Sequence, residues 1–212
     1  PGMTEDSVID QLHAADVALS VEAGQMRDHP VIAAAGAASE IADQPPAFTL
    51  AAIALGAGLL SRRPRLAEGG GRALAALWLA TRTKSAIKSV VVRTRPYKLL
   101  EEGHYETGVN GPDSHPYNSF PSGHTADAFA AARAIGRVAP GAKRPLLGLA
   151  ALIGLVQVPR ATHHLADVIA GAAVGIAAEA VVHHALQALP DDRVRAGRRA
   201  LIRRRGASGN DA

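Results

Sequence analysis

The 212-residue chain has no cysteine, which excludes a disulfide framework and thiolate chemistry. Aromatic residues make up only 3% of it, and the 48% hydrophobic share rests largely on alanine. The first thirty residues are acidic and amphipathic, unlike a secretory signal peptide. No DNA- or RNA-binding motif is present. The net charge of +4 does not form a nucleic-acid footprint, because the basic residues sit in loops and in the C-terminal tail between apolar segments. There is no internal repeat and no clear strand pattern. Most apolar runs are shorter than the ~20 residues that span a bilayer, and reach that length only with polar flanks.

What is present reads as an all-α chain of one domain. Residues 4–29 form an amphipathic helix, with Val8, Leu12, Ala15 and Leu19 at helical spacing among acidic residues. A short apolar helix runs from Val31 to Ala42. Ala47–Leu60 carries no charge and is followed by Arg62, Arg63, Arg65 and three glycines. A second apolar helix spans about 73–92 and stops before Pro96. Residues 97–121 are a long polar loop, a length that is usually functional. Apolar helices follow at 126–138, 146–158 and 168–189. The organisation expected is therefore 1–46 interfacial helices, 47–189 a helical bundle, and 190–212 a basic tail holding seven arginines.

The chain is arranged around Pro121-Ser122-Gly123-His124. Ser122 is placed to cap the helix that follows, with Gly123 and His124 in its first turn. A helix start offers free N–H groups and the positive end of the dipole to an anion. Gly123 admits that anion to the backbone, and His124 adds a titratable proton donor. A surface turn before a helix has the same composition.

Two further clusters fall at the same end. Lys88 and Arg95 are seven residues apart, which on a continuous helix stacks two cations on one face. A snorkelling basic helix end is the bland alternative. His163 and Asp167 are four apart, so on a helix they face each other. A carboxylate on one imidazole nitrogen leaves the other free as nucleophile or base. Asp167 also fits as an ordinary acidic residue in a helix first turn.

Together the three clusters resemble the type 2 phosphatidic acid phosphatase superfamily, whose pattern is Lys-x6-Arg-Pro, Pro-Ser-Gly-His, then Ser-Arg-x5-His-x3-Asp. Lys88–Pro96 matches the first element and Pro121–His124 the second. His163 and Asp167 match the end of the third. Where the pattern has Ser-Arg, this chain has Val156 and Gln157, and Arg160 is the nearest guanidinium in sequence. The resemblance implies that His163 attacks phosphorus and that Asp167 holds its ring. It implies that His124 protonates the leaving oxygen and then activates water. Lys88, Arg95, Arg160 and the backbone at Ser122 and Gly123 would bind the phosphoryl oxygens. No metal or other cofactor is needed for this chemistry. A zinc site drawn from His104, His115, His164 and Asp113 has no recognisable ligand spacing.

The resemblance points to the membrane branch: about five transmembrane helices plus the amphipathic N-terminal helix, with the site at one end. In that arrangement loops 61–72 and 139–145 and the tail share one side, rich in arginine and lysine. The positive-inside rule puts that side in the cytoplasm and the motif side beyond it, at the outer face of the cell's inner membrane. The expected partners are a lipid phosphate and the bilayer, not nucleic acid; the oligomeric state is left open. Candidate substrates are phosphatidic acid, phosphatidylglycerol phosphate, polyprenyl phosphates and lipid A phosphates. A soluble acid phosphatase and a lipid-phosphate binding protein without turnover are the alternatives.

Overall fold

The computed structural model describes residues 5–110 and 114–189, so the basic tail expected at 190–212, and Asp113, lie outside the described residues. Eight helices are described: α1 (Glu5–Gly24), α2 (Pro30–Ser39), α3 (Gln44–Leu60), α4 (Pro64–Lys88), α5 (Pro96–Glu102), α6 (Gly123–Val138), α7 (Lys143–Val156) and α8 (Leu165–Gln187). Proline opens or nearly opens α2, α3, α4 and α5, where a missing N–H costs nothing. The all-α expectation holds with one exception. Val91–Arg93 (β1) and Thr107–Val109 (β2) pair antiparallel inside the stretch expected as helix end and loop. Three-residue strands are too short to show an alternating pattern.

Helix α6 is the axle of the bundle and packs against α3, α4, α7 and α8. The core around it is built mostly of small residues: Ala47, Ala51, Ala73, Ala76, Ala80, Ala130 and Ala134 cluster with Leu77, and the larger Phe48, Leu74 and Leu79 pack against them only partly buried. Large apolar residues lie outside instead. Leu60, Ile53, Trp78, Leu152, Ile169 and Val181 are all more than half exposed. This inside-out distribution suits helices that approach closely and face an apolar medium. Two glycines let α8 close on α6, because a Cβ on Gly171 or Gly175 would run into the backbone oxygen of Ser122 or Ala126. The start of α8 is thereby pressed onto the start of α6. Among the described helices, only Leu165–Gln187 is both long and apolar enough to cross a membrane.

The N-terminal helix is docked the opposite way from its amphipathic pattern. Val8, Leu12 and Leu19 are exposed, whereas Ser20 is fully buried. The reason is polar anchorage. Asp16 accepts from Arg93 Nη2 (2.6 Å) and from the Ala166 N–H (2.9 Å), and Ser20 Oγ accepts from the Leu165 N–H (3.2 Å). The helix therefore fastens its polar side to β1 and α8 and turns its apolar stripe outward.

Candidate active site

Helices α4 and α7 end, and α6 and α8 begin, at one end of the bundle, and every motif residue lies there. The connection from α7 to α8 is shaped by Gln157, whose carbonyl accepts the N–H groups of Thr162 (3.1 Å) and His163 (3.2 Å). Ala161 turns the chain in the left-handed region (φ 57°), and its carbonyl accepts the Tyr97 N–H at 2.8 Å. His163 is thus delivered just before α8.

The His163 ring is buried, and its Nδ1 lies 2.7 Å from the Ser119 carbonyl. A carbonyl only accepts, so Nδ1 carries the proton and Nε2 keeps its lone pair. Arg95 Nη1 stands 3.5 Å from that Nε2. Burial depresses the His163 pKa to about 3 against the pull of Asp167, so the ring is neutral at physiological pH. Asp167 Oδ2 is 3.8 Å from Nδ1. The backbone of Ser119, not the carboxylate, makes the hydrogen bond that fixes the ring.

Asp167 is itself fully buried and heavily held. Its carboxylate accepts from Arg93 Nη1 (2.7 Å), Ser119 Oγ (2.5 Å) and the His164 N–H (2.8 Å). Arg93 links it onward to Asp16 and to Tyr105, whose hydroxyl is 3.0 Å from Nε. Burial works against the charge on Arg93, but Asp167 and Asp16 outweigh it and raise its pKa further. His164, also buried, reaches the Thr94 carbonyl at 3.0 Å through Nε2, a structural contact. Arg93, Ser119 and Asp16 are absent from the sequence-derived set.

Ser122 occupies the cap position of α6, but its hydroxyl accepts from Thr125 Oγ1 (2.9 Å) instead of capping a helix N–H. Its own N–H donates to the Asp167 carbonyl at 2.9 Å. That donor, expected to face the phosphate, is used here to tie α6 to α8. Gly123 follows with no side chain, and a Cβ there would sit 3.3 Å from Lys84 Nζ. Lys84 is buried and ion-paired with Asp127, one turn beyond His124. It brings a further cation beneath the first turn of α6, on a helix where only Lys88 was singled out.

Lys88 and Arg95 do not share a helix face. Helix α4 ends at Lys88, β1 intervenes, and Arg95 precedes α5. They converge nonetheless on Asn118: Lys88 Nζ donates to its carbonyl, and Arg95 Nη2 lies 3.4 Å from its Oδ1. Arg95 also donates to the Thr162 carbonyl (3.0 Å) and the His115 carbonyl (2.9 Å), which aims the guanidinium at His163.

Gln157 stands fully buried where the motif arginine was expected. Its Nε2 donates to Ser39 Oγ and the Ile153 carbonyl, each at 3.0 Å. Its Oε1 accepts from Arg160 Nη1 at 3.2 Å, so the Arg160 guanidinium lies off the tip of the Gln157 side chain. Arg160 Nη2 pairs with Glu40 Oε1 (2.8 Å), and Glu40 Oε2 is 3.3 Å from His124 Nε2. Burial pushes the Glu40 carboxyl up, but the bonds from Arg160 and His124 prevail and hold it below its usual value. Glu40 carried no motif and was missed.

A sequence model of the PAP2 superfamily matches residues 69–191, more than half of the chain and all of the motif-bearing part. The chain belongs to the PAP2 superfamily. Among curated proteins, a lipid A 1-phosphatase of Porphyromonas gingivalis is 36% identical over 83 residues, which is 37% of this chain and only 18% of that protein. Among solved structures, LpxE of Aquifex aeolicus superposes with a TM-score of 0.60 at 24% identity, covering 78% of this chain and 93% of that one. A transmembrane PAP2-type phosphatidylglycerolphosphate phosphatase from Bacillus subtilis also gives 0.60, at 18% identity, covering 85% and 88%. These two similarities concern the fold.

Proposed function

We propose that this PAP2 protein is a membrane lipid phosphatase that removes a phosphate monoester or pyrophosphate group through a phosphohistidine on His163. One observation carries the reading: His163 is buried, with Nδ1 bonded to the Ser119 carbonyl and the lone pair of Nε2 beside Arg95. In the first step Nε2 bonds to phosphorus while the ester P–O bond breaks, and His124 gives its proton to the leaving alkoxide. In the second, His124 takes a proton from water as the oxygen attacks phosphorus, and the P–N bond breaks to release phosphate. Asp167 steadies the charge that develops on His163 through space. A loose phosphoryl transition state requires positioning and positive charge. Lys88, Arg95 and Arg160 supply that charge with the N–H group of Gly123 and the start of α6. The Gln157–Arg160 contact supports Arg160 as the stand-in for the motif arginine. This chemistry runs without a metal.

The inside-out bundle supports a membrane setting, with several helices in the bilayer and the stripe of α1 on its surface. An apolar cleft of about 740 Å³ runs beside α6, lined by Ala42, Leu50, Ala73, Ala128, Leu146 and Ile153, with room for acyl chain. Gly69, near the start of α4, lies against Val138, at the end of α6, so both belong to the end opposite the site. The arginines of residues 61–72, a stretch expected as loop but helical from Pro64, and the Lys143-Arg144 pair gather there, which favours a site facing away from the cytoplasm. The names of the relatives favour lipid A phosphates and phosphatidylglycerol phosphate as substrates, ahead of phosphatidic acid and polyprenyl phosphates. The test is phosphate release from these four lipid classes in detergent. EDTA-resistant, vanadate-sensitive release that vanishes in His163→Ala is expected. EDTA-sensitive release, or none from any class, would overturn the reading.

A further inference from the structure

Glu40 lies before the part of the chain matched by the family, in a short 3-10 turn between α2 and α3. Its carboxylate spans two groups of the site at once: Oε2 is 3.3 Å from His124 Nε2, and Oε1 is 2.8 Å from Arg160 Nη2. It is the only carboxylate paired with either group among the described residues. A carboxylate accepts, so a neutral His124 carries its proton on Nε2 and keeps the lone pair on Nδ1.

We propose that Glu40 is a positioning residue for the reaction: it holds His124 by Nε2, so that Nδ1 is the nitrogen that protonates the leaving oxygen and later takes the proton of water, and it holds Arg160 alongside. The assignment rests on the proposed acid–base role of His124. It makes chemical sense on both steps. The carboxylate accepts from Nε2–H throughout, which leaves Nδ1–H for the leaving oxygen first and the Nδ1 lone pair for the proton of water second. The segment also explains its own burial pattern. Gly36 faces Arg160 so closely that a Cβ would meet Nε at 2.6 Å, and Ser39 Oγ accepts from both Arg160 (3.1 Å) and Gln157 (3.0 Å). α2 and its turn therefore form a seat for the arginine, with Glu40 at its rim. Glu40 is 46% exposed, so its removal leaves the core intact.

Below His124, Asp127 pairs with Lys84 and lies in the field of Asp43 and of His124 itself, while Arg160 shares the Glu40 carboxylate. Arg160 loses its partner with Glu40 but makes no hydrogen bond to His124 among the described residues, so the His124 tautomer in the Glu40 variants reports Glu40 itself. The first measurement is the imidazole nitrogen spectrum of the full chain, ¹⁵N-labelled at histidine, in detergent, with His124→Ala to identify the signal. At a pH where the ring is neutral, protonation of His124 on Nε2 is expected in the parent, and mixed tautomers in Glu40→Ala. An unchanged His124 in Glu40→Ala overturns the assignment. The second is kcat on the lipid phosphate that the parent hydrolyses best. Glu40→Ala is expected to lose about tenfold, with Glu40→Asp restoring part of the loss. Equal losses in both variants mark a structural role, and a gain marks Glu40 as a plug; either overturns the proposal. If the parent releases no phosphate, the function reading fails, and the nitrogen spectrum still judges the assignment.

Discussion

The two imidazoles of the site are held in opposite ways. His163 is buried, fixed by the Ser119 carbonyl, and backed by a chain of charges running from Asp167 through Arg93 to Asp16. His124 is partly exposed and meets one carboxylate on a separate segment. The difference matches the work proposed for each. A nucleophile must keep one atom within bonding range of phosphorus and stay unprotonated, so it gains from rigidity and burial. A proton carrier must exchange with water and with a leaving group of variable size, so it gains from access. The nucleophile half is also where the bundle closes, because α1, β1 and the start of α8 meet there. It is expected to couple chemistry to stability, whereas the acid half should not.

The largest expected effect separates the halves by rate. His163→Ala should lower kcat by about 10⁵-fold or more, since no other group forms the covalent intermediate. His124→Ala should cost about 10²- to 10⁴-fold, the usual range for a lost proton donor. Equal losses in steady-state phosphate release would erase the distinction. Next comes stability. Arg93→Ala leaves Asp167 as a buried, uncompensated charge and should destabilise the fold by about 3–5 kcal/mol in detergent unfolding. Glu40→Ala should move it by less than about 0.5 kcal/mol, as for most surface sites.

How much of this was legible in the sequence follows from the same division. Lys88, Arg95, Ser122, Gly123, His124, His163 and Asp167 carry their own local patterns, and all lie at one end of the bundle. The helices were legible because Ala-rich apolar periodicity is long. Arg93, Ser119, Asp16, Lys84 and Glu40 were not, because each acquires its partner only through the fold. Asp16 meets Arg93 across 77 positions and Glu40 meets His124 across 84. The outward turn of α1 was hidden for a related reason: helical periodicity shows an apolar stripe but not what it faces. Two buried-side residues, Asp16 and Ser20, decide its orientation. The spacing of Lys88 and Arg95 suggested one helix face, and β1 broke that helix.

A third expectation concerns pH. The folded chain holds His163 neutral down to about 3, whereas the unfolded chain takes up that proton near the ordinary value of 6.5. Between those values the unfolded state binds more protons, so stability falls as pH drops from 6.5 toward 3 and is fully present above 6.5. Unfolding midpoints across that window should show the slope, and His163→Gln should flatten it. The smallest effect expected is at Arg160. Arg160→Lys keeps the charge but loses the planar fork, and should raise KM by about tenfold with kcat little changed. A fall in kcat alone would remove Arg160 from ground-state phosphate binding.

The covalent intermediate is the central claim, and it is directly observable. Turnover of a lipid phosphate by the full chain, quenched in alkali to preserve acid-labile phosphoramidates, should leave phosphate on the peptide containing His163, bonded to Nε2. Mass spectrometry should find none in His163→Ala. Turnover with no phosphohistidine in that peptide, or with phosphate on another residue, would contradict the account.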